Sequence, residues 1–317
     1  MFGRDALIEA ARLVYRHLPP TPQYAWPLLA KRVGAEVWVK HENHTPIGAF
    51  KVRGGVVFAD RLRRERPDAA GIVSATRGNH GQSLAFAARA TGLRATICVP
   101  FGNSVEKNAA MRALGAELVE HGDDFDAAKE RAQDLAKERG LYMVPSYHAT
   151  LVLGVATYAR ELYEAVSDLD TVYCPIGLGS GISGLVLVRD LMGLKTKVVG
   201  VVSTGAPTYA LSYRAKRPVP TNSAKTFADG VAVRIPDERA LDLMLKGVER
   251  MVEVTDEEIG AAMRALYEDT HNLAEGAGAA ALAGLMQERD RQRGKKVAVV
   301  LSGGNIDRAV YLDILRG

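Results

Sequence analysis

Lys40-His41-Glu42-Asn43-His44-Thr45-Pro46-Ile47-Gly48-Ala49-Phe50-Lys51-Val52-Arg53-Gly54-Gly55 is the stretch on which the reading of this chain turns. A strand-like segment, Ala35 to Lys40, delivers the backbone to Thr45-Pro46-Ile47-Gly48, which must turn. An apolar helical stretch begins just beyond Lys51. Gly48 and Ala49 leave room at the helix entrance, where unpaired backbone amides favour an anion. A lysine there can form an imine with an aldehyde, provided its surroundings favour the neutral amine. Most lysines instead lie along the surface with the ammonium in water, and Lys51 alone does not separate the two readings.

Three more stretches share that position between a strand and a helix. Ser74-Ala75-Thr76-Arg77-Gly78-Asn79-His80-Gly81-Gln82 offers a hydroxyl, an amide and successive N–H groups, a set suited to a carboxylate. An ordinary turn with Asn79 as helix cap, and a packed His80, is the plainer alternative. Pro175-Ile176-Gly177-Leu178-Gly179-Ser180-Gly181-Ile182-Ser183-Gly184 carries glycines that let backbone amides close around a phosphate. Its Gly179 to Gly184 portion matches the GxGxxG dinucleotide fingerprint, so a nicotinamide oxidoreductase is a rival. That fingerprint needs a carboxylate at the end of the next strand, and here the strand ends Val201-Val202-Ser203-Thr204. A simple phosphate remains. Leu301-Ser302-Gly303-Gly304-Asn305 ends the last buried strand, with Ser302 able to donate to a ring nitrogen.

Between these stretches, helical and strand patterns alternate. Helices are expected over Asp5–Leu18, Gln82–Ala90, Val105–Leu114, Phe125–Arg139, Leu151–Ala165, Ile182–Met192 and Ala277–Met286. Thr255-Asp256-Glu257-Glu258 is a capping-box pattern opening another. Strands are expected over Gly71–Ala75, Arg94–Val99, Glu117–Glu120, Thr171–Pro175, Lys197–Val202 and Val297–Leu301. Thr204 to Pro236, with four prolines, reads as irregular. Such alternation implies an α/β protein of two domains, each an open, mostly parallel sheet with helices on both faces. The expected division is a large cofactor-binding domain (1–60 and 149–317) and a small substrate-side domain (61–148).

Composition narrows the function classes. The 317 residues are 47% hydrophobic, enough for a sizeable core. The formal charge of +4 is concentrated in runs such as Arg61-Leu62-Arg63-Arg64, which read as solvated helix ends. No aromatic interleaving suggests nucleic-acid binding. Cys98 and Cys174 lie in apolar runs without a CxxC partner, as in core packing in a reducing compartment. No apolar run reaches membrane-spanning length and no signal peptide opens the chain, so a soluble cytoplasmic protein is expected.

Taken together, the ordered set Gly-Ala-Phe-Lys-Val-Arg-Gly, Gly-Asn-His-Gly-Gln, the glycine loop and Ser-Gly-Gly-Asn resembles the fold-type II pyridoxal-phosphate enzymes (tryptophan synthase β-like). The similarity is to the serine/threonine dehydratase and serine racemase branch and runs from about Thr21 to Asn305. It implies pyridoxal 5'-phosphate as cofactor, held covalently by Lys51, which also abstracts the substrate Cα proton. It further implies Phe50 beside the ring and Asn79 on the phenolic oxygen. Thr76, Asn79 and His80 would receive the substrate carboxylate. Gly177, Leu178, Gly179, Ser180 and Gly181 would give N–H groups to the phosphate, and Ser302 would meet the pyridine nitrogen. A neutral hydroxyl there makes the ring a weaker electron sink, which favours rapid loss of a β-hydroxyl. The implied reaction is dehydration and deamination of a β-hydroxy amino acid, L-threonine or L-serine by default, to a 2-oxo acid and ammonia. A homo-oligomer acting on a small amino-acid substrate is also implied by resemblance alone.

The chain departs from that family in informative places. Arg77 stands where the racemase branch has a basic serine, and an arginine cannot act as that base. We expect it to meet a second substrate carboxylate, as in 3-hydroxyaspartate, or to form a salt bridge; an aryl-serine substrate is a further alternative. The racemase branch's divalent-metal ligands would fall at Val202, Ala206 and Thr208, and Val202 offers no side-chain oxygen, so no such metal site is expected. Leu178 and Ser180 replace glycines in the loop without removing backbone donors. The chain leaves no length for a C-terminal regulatory domain, so isoleucine feedback is not expected.

Overall fold

A computed structural model describes residues 2–317. Its first helix, α1 (Arg4–Val14), buries Leu7, Ala10, Ala11 and Val14 along one stripe. It stops short of Leu18 in a tight turn, with the Leu18 N–H on Val14 O at 3.1 Å. β1 (Gln23–Ala25), α2 (Pro27–Val33) and β2 (Glu36–His41) follow. Proline at the start of α2 leaves no donor wasted, and Gly34 closes the helix at φ 78°. β1 and α2 were not foreseen. Three residues are too few to show alternation, and Pro27 reads as a breaker until the first turn around it is seen.

α3 (Lys51–Glu65) leads into the smaller sheet. There β3 (Ile72–Ala75), α4 (Asn79–Thr91), β4 (Ala95–Val99), α5 (Val105–Ala113), β5 (Glu117–Glu120), α6 (Phe125–Arg139) and β6 (Tyr142–Met143) alternate. Its four strands run parallel in the order β5-β4-β3-β6. Every residue of β3 and β4 is buried, as expected of strands covered on both faces.

α7 (Ala149–Ala165) returns the chain to the larger sheet, through β7 (Thr171–Pro175), α8 (Ser180–Leu191), β8 (Lys197–Ser203) and α9 (Thr208–Ala215). A 3-10 turn (Asp229–Val231) precedes α10 (Glu238–Gly247), β9 (Arg250–Val254), α11 (Asp256–Thr270), α12 (Gly276–Gln287) and α13 (Arg289–Gln292). β10 (Lys296–Leu301) and α14 (Arg308–Arg316) end it. The order is β1-β2-β10-β7-β8-β9, parallel except for the antiparallel β1–β2 pair. α9 corrects the expectation that Thr204–Pro236 is irregular throughout. Pro207 sits just outside the first turn, where it presets rather than breaks a helix, and Thr208 Oγ1 donates to Val233 O at 2.7 Å. The capping box is complete at α11. Thr255 Oγ1 accepts from the Glu258 N–H at 3.2 Å, and Glu258 Oε2 accepts from the Thr255 N–H at 2.7 Å.

α3 crosses α7 backbone to backbone. A Cβ at Gly154 would stand 2.2 Å from Arg53 O, and one at Gly54 would stand 2.8 Å from Leu151 O, so glycine permits the approach. That closeness encloses a charged cluster beneath Lys51. Arg53 donates to Glu42 Oε2 at 2.7 Å and to Glu161 Oε1 at 2.6 Å, and Lys40 Nζ reaches Glu161 Oε2 at 2.6 Å. All four side chains are buried, and two cations balance two anions. Burial disfavours the ionised Glu161, but Arg53 and Lys40 outweigh it and hold its carboxyl below the ordinary range.

Cys98 and Cys174 are buried free thiols, as expected. The arginines of the Arg61–Arg64 run are solvated, with the Arg64 side chain 73% exposed, while Leu62 is buried. Among the described residues no helix is long and apolar enough to cross a membrane.

Candidate active site

Four stretches distant in sequence meet at the strand ends. The Gly304 N–H donates to Gly48 O at 2.9 Å, and Ala49 pairs with Gly303 in an isolated bridge. The Phe50 N–H donates to Ser302 O at 3.0 Å. Asn305 Nδ2 donates both to Ile47 O at 2.7 Å and to Asn79 Oδ1 at 2.8 Å. Lys51 Nζ donates to Ser180 Oγ at 3.2 Å, which brings the glycine turn to the same place.

Lys51 is the first residue of α3, and its amine lies 4.9 Å from the centre of the Phe50 ring. Burial pushes that amine down to about 8, against an opposing pull from the Cys174 thiol. At pH 7 about one molecule in ten then carries the neutral, nucleophilic form. The surface-lysine reading fails here. Phe50 itself stands edge-on to Tyr158, ring centres 6.2 Å apart.

The glycine turn is built by conformation as well as by size. Gly179 has φ 96°, which a side chain would resist, and a Cβ there would lie 2.5 Å from Met244 Cε. Ser180 then opens α8, whose first amides have no partner within the helix and form the positive end of its dipole. Tyr209 OH donates to Leu178 O at 3.0 Å and so holds the turn from outside.

Opposite lies the start of α4. Thr76 Oγ1 accepts from the Gly78 N–H at 3.1 Å. Asn79 is not the helix cap, a place Gly78 takes. Its amide instead donates to Glu275 Oε1 at 2.6 Å and accepts from Asn305. Burial, then the nearby Lys51, pushes His80 down to about 3, so its ring is neutral, and its Nε2 has no partner. Gln82 Nε2, two residues on, is likewise buried without a partner. Arg77 is exposed, and among the described residues it takes part in no ion pair.

A phosphorylated aldehyde fits this donor set. The half-buried Lys51 amine can supply a covalent anchor, and the free amides of Gly177 to Gly181 suit its phosphate. The unpartnered His80 Nε2 suits an incoming acceptor. Ser302, buried at the end of β10, bonds only loosely to Ala277 O at 3.5 Å and keeps its hydroxyl available. Lys51, His80, Ser146 and Ser180 line one small cavity here. A roomier one, about 300 Å³, lies at the opposite ends of the small sheet's strands and contains none of these residues.

Sequence reasoning missed Glu275 and Lys107, both buried beside Asn79. Glu275 left a faint signal, a lone carboxylate in the small-residue run Ala274-Glu275-Gly276-Ala277-Gly278. Lys107 left none.

The family profile described as pyridoxal-phosphate dependent enzyme matches residues 14–303. The biosynthetic L-threonine dehydratase of Haemophilus influenzae is 32% identical over 96% of this chain, which spans 60% of that relative's length. An L-threonine ammonia-lyase of Thermotoga maritima is 36% identical over 97% of this chain and 76% of its own. The L-threo-3-hydroxyaspartate ammonia-lyase of Saccharomyces cerevisiae is 29% identical over 98% and 95%. The solved structure of processed threonine deaminase isoform 2 from Solanum lycopersicum superposes with a TM-score of 0.91 at 28% identity, covering 99% of this chain and 94% of that one.

Proposed function

The chain belongs to the pyridoxal-phosphate dependent enzymes, and on that premise we propose that it dehydrates and deaminates a β-hydroxy amino acid, L-threonine or L-serine, to a 2-oxo acid and ammonia. The observation that carries the reading is the half-buried Lys51, its amine pushed down to about 8 and 3.2 Å from the glycine turn at Ser180.

When bound, pyridoxal phosphate supplies an electron sink for the pair left on Cα. The residues of the chain do the rest. The amides of Gly177, Leu178, Gly179, Ser180 and Gly181 bind the phosphate at the positive end of α8. Ser302 offers a neutral hydroxyl to the ring nitrogen, Asn79 an N–H to the ring oxygen, and Phe50 packs beside the ring. The Thr76 hydroxyl, the main-chain N–H of Asn79 and neutral His80 orient the substrate carboxylate as hydrogen-bond donors. Lys51 Nζ, once free, takes the Cα proton and returns a proton to the departing β-hydroxyl, which leaves as water. The enamine so released tautomerises to an imine, and its hydrolysis gives ammonia and the 2-oxo acid.

A second reading within the same chemistry rests on Arg77. An exposed guanidinium without an ion-pair partner, two residues before Asn79, suits a substrate with a second carboxylate, such as 3-hydroxyaspartate. Arginine at this place also opposes racemisation, since it cannot serve as a second base. Residues 61–148 are read as the small substrate-side domain, and 1–60 with 149–317 as the large cofactor-binding domain. The free, buried Cys98 and Cys174 support a reducing, cytoplasmic location. Assembly as a homo-oligomer, activity on serine and the want of a divalent metal at Val202 belong to the same proposal.

An absorbance spectrum of the purified protein with pyridoxal phosphate, followed by ammonia release from threonine, serine and 3-hydroxyaspartate, tests the assignment. Failure to take up the cofactor, or uptake with no ammonia from any of the three, overturns it.

A further inference from the structure

Glu275 stands just before α12, with its N–H on Gly303 O at 3.1 Å and its side chain 3% exposed. Oε1 accepts from Asn79 Nδ2 at 2.6 Å, and Oε2 lies 3.3 Å from Lys107 Nζ. Lys107 in turn reaches Asp229 Oδ2 at 2.6 Å. The carboxylate is also pressed against the end of β10, where a Cβ at Gly303 would come within 2.4 Å of Oε1. The groups facing it are therefore Asn79 from α4, Lys107 from α5, Asp229 from the 3-10 turn and the main chain of Gly303.

These partners divide between the two sheets. Asn79 and Lys107 ride on helices of the small sheet, whereas Glu275, Asp229 and Gly303 belong to the large one. We infer that Glu275 is a positioning residue: docking the small sheet on the large one buries its carboxylate between Asn79 and Lys107, so Asn79 is oriented only when the two are together. With Nδ2 turned to Glu275 and Oδ1 to Asn305, the amide cannot flip, and one N–H remains for the ring oxygen. This role rests on Asn79 as the ring-oxygen contact proposed above.

The same burial links docking to a proton. Drawn away from Asn79 and Lys107, the carboxyl faces water and returns toward its ordinary 4.5. Docked, burial pushes it up to about 7, opposed by Lys107 and reinforced by Asp229. The docked form therefore binds the proton more tightly. Docking is favoured as pH falls through 7 and is disfavoured above it, once the buried carboxylate ionises.

The test is hydrogen exchange of α5 in the full chain carrying pyridoxal phosphate, corrected for intrinsic rates. Wild type should be protected about tenfold more at pH 6 than at pH 8, the ratio these two values give. Glu275→Gln, a neutral isostere, should show no such step, and comparison with wild type separates Glu275 from Lys51. Lys107→Met removes the opposing charge and should move the step to higher pH. The absorbance maximum of the bound cofactor should shift in Glu275→Ala, which cannot hold the Asn79 amide, and much less in Glu275→Gln. A step that persists in Glu275→Gln, or is missing from wild type, overturns the inference. Loss of all ammonia release with the step intact would instead count against the reaction assignment and leave this role standing.

Discussion

Glu106 and Asp307 exchange helix caps across the cleft. Asp307 Oδ1 accepts from the Glu106 N–H at 3.3 Å, while Glu106 Oε1 accepts from the Arg308 N–H at 2.9 Å. One belongs to α5 beside the small sheet and the other precedes α14 beside the large one, so each carboxylate satisfies an orphan donor of the opposing helix. Replacing either by Ala should cost about 1 kcal/mol. The two losses should not add, and a double-mutant cycle in urea should show a coupling of about 0.5 kcal/mol or more. Strict additivity would mean that the reciprocal capping is not formed in solution.

Lys51 makes uptake of the aldehyde depend on pH. The neutral fraction of an amine at about 8 rises roughly fivefold between pH 7 and pH 8, and the rate of appearance of the bound-cofactor absorbance should rise with it. Stability without cofactor follows the same group. Below about 8 the folded and unfolded chains both hold the proton, and burial of the charge is a constant penalty. Between about 8 and 10.5 the unfolded chain binds more protons, so stability increases with pH. Lys51→Met should abolish the absorbance band and flatten that part of the stability profile in thermal melts.

Arg53 holds two buried carboxylates at once, and its removal leaves both without their main partner. Arg53→Met should destabilise the protein by about 3–5 kcal/mol, read from denaturant midpoints. Simultaneous neutralisation in Arg53→Met/Glu42→Gln should recover part of that loss. A single variant as stable as wild type would mean that water reaches the cluster.

The role proposed for Arg77 is a choice between substrates. Arg77→Ala should lower kcat/KM for 3-hydroxyaspartate by about tenfold to a hundredfold, the range of one charge-assisted contact, and leave threonine within about threefold. Equal losses on both substrates would assign Arg77 to general shaping of the turn.

The parts of this site that were legible in sequence are those governed by local chemistry. The turn before Lys51, the glycines from Gly177 to Gly181 and the Ser302 turn each combine a strand end, small residues and a helix start, and all three sit where those signals put them. Phe125–Arg139 and Thr171–Pro175 were legible to the residue, because Asp124 and Gly140 bound the helix and a Thr-Val start and Pro175 bound the strand. What stayed hidden depends on contacts across the chain. Glu275 and Asn79 are 196 positions apart, and nothing local to either reports the other. Arg53 breaks the ordinary preference of arginine for the surface, and only the α3–α7 crossing explains it. Asn79 resembled a cap because its residue type commonly caps; its amide was already engaged from the far side of the cleft.

β10 enters the large sheet between β2 and β7, although it is made last of the three. Until Lys296–Leu301 leaves the ribosome, β2 has no neighbour on that side, and Phe50 lacks the Ser302 carbonyl that anchors it. A nascent chain that has already exposed Lys51 therefore cannot yet present a finished vitamin-binding pocket. Cofactor loading is in this sense a late event in biosynthesis, and a truncated translation product would carry Lys51 as an ordinary protonated amine, outside the setting that lowers it.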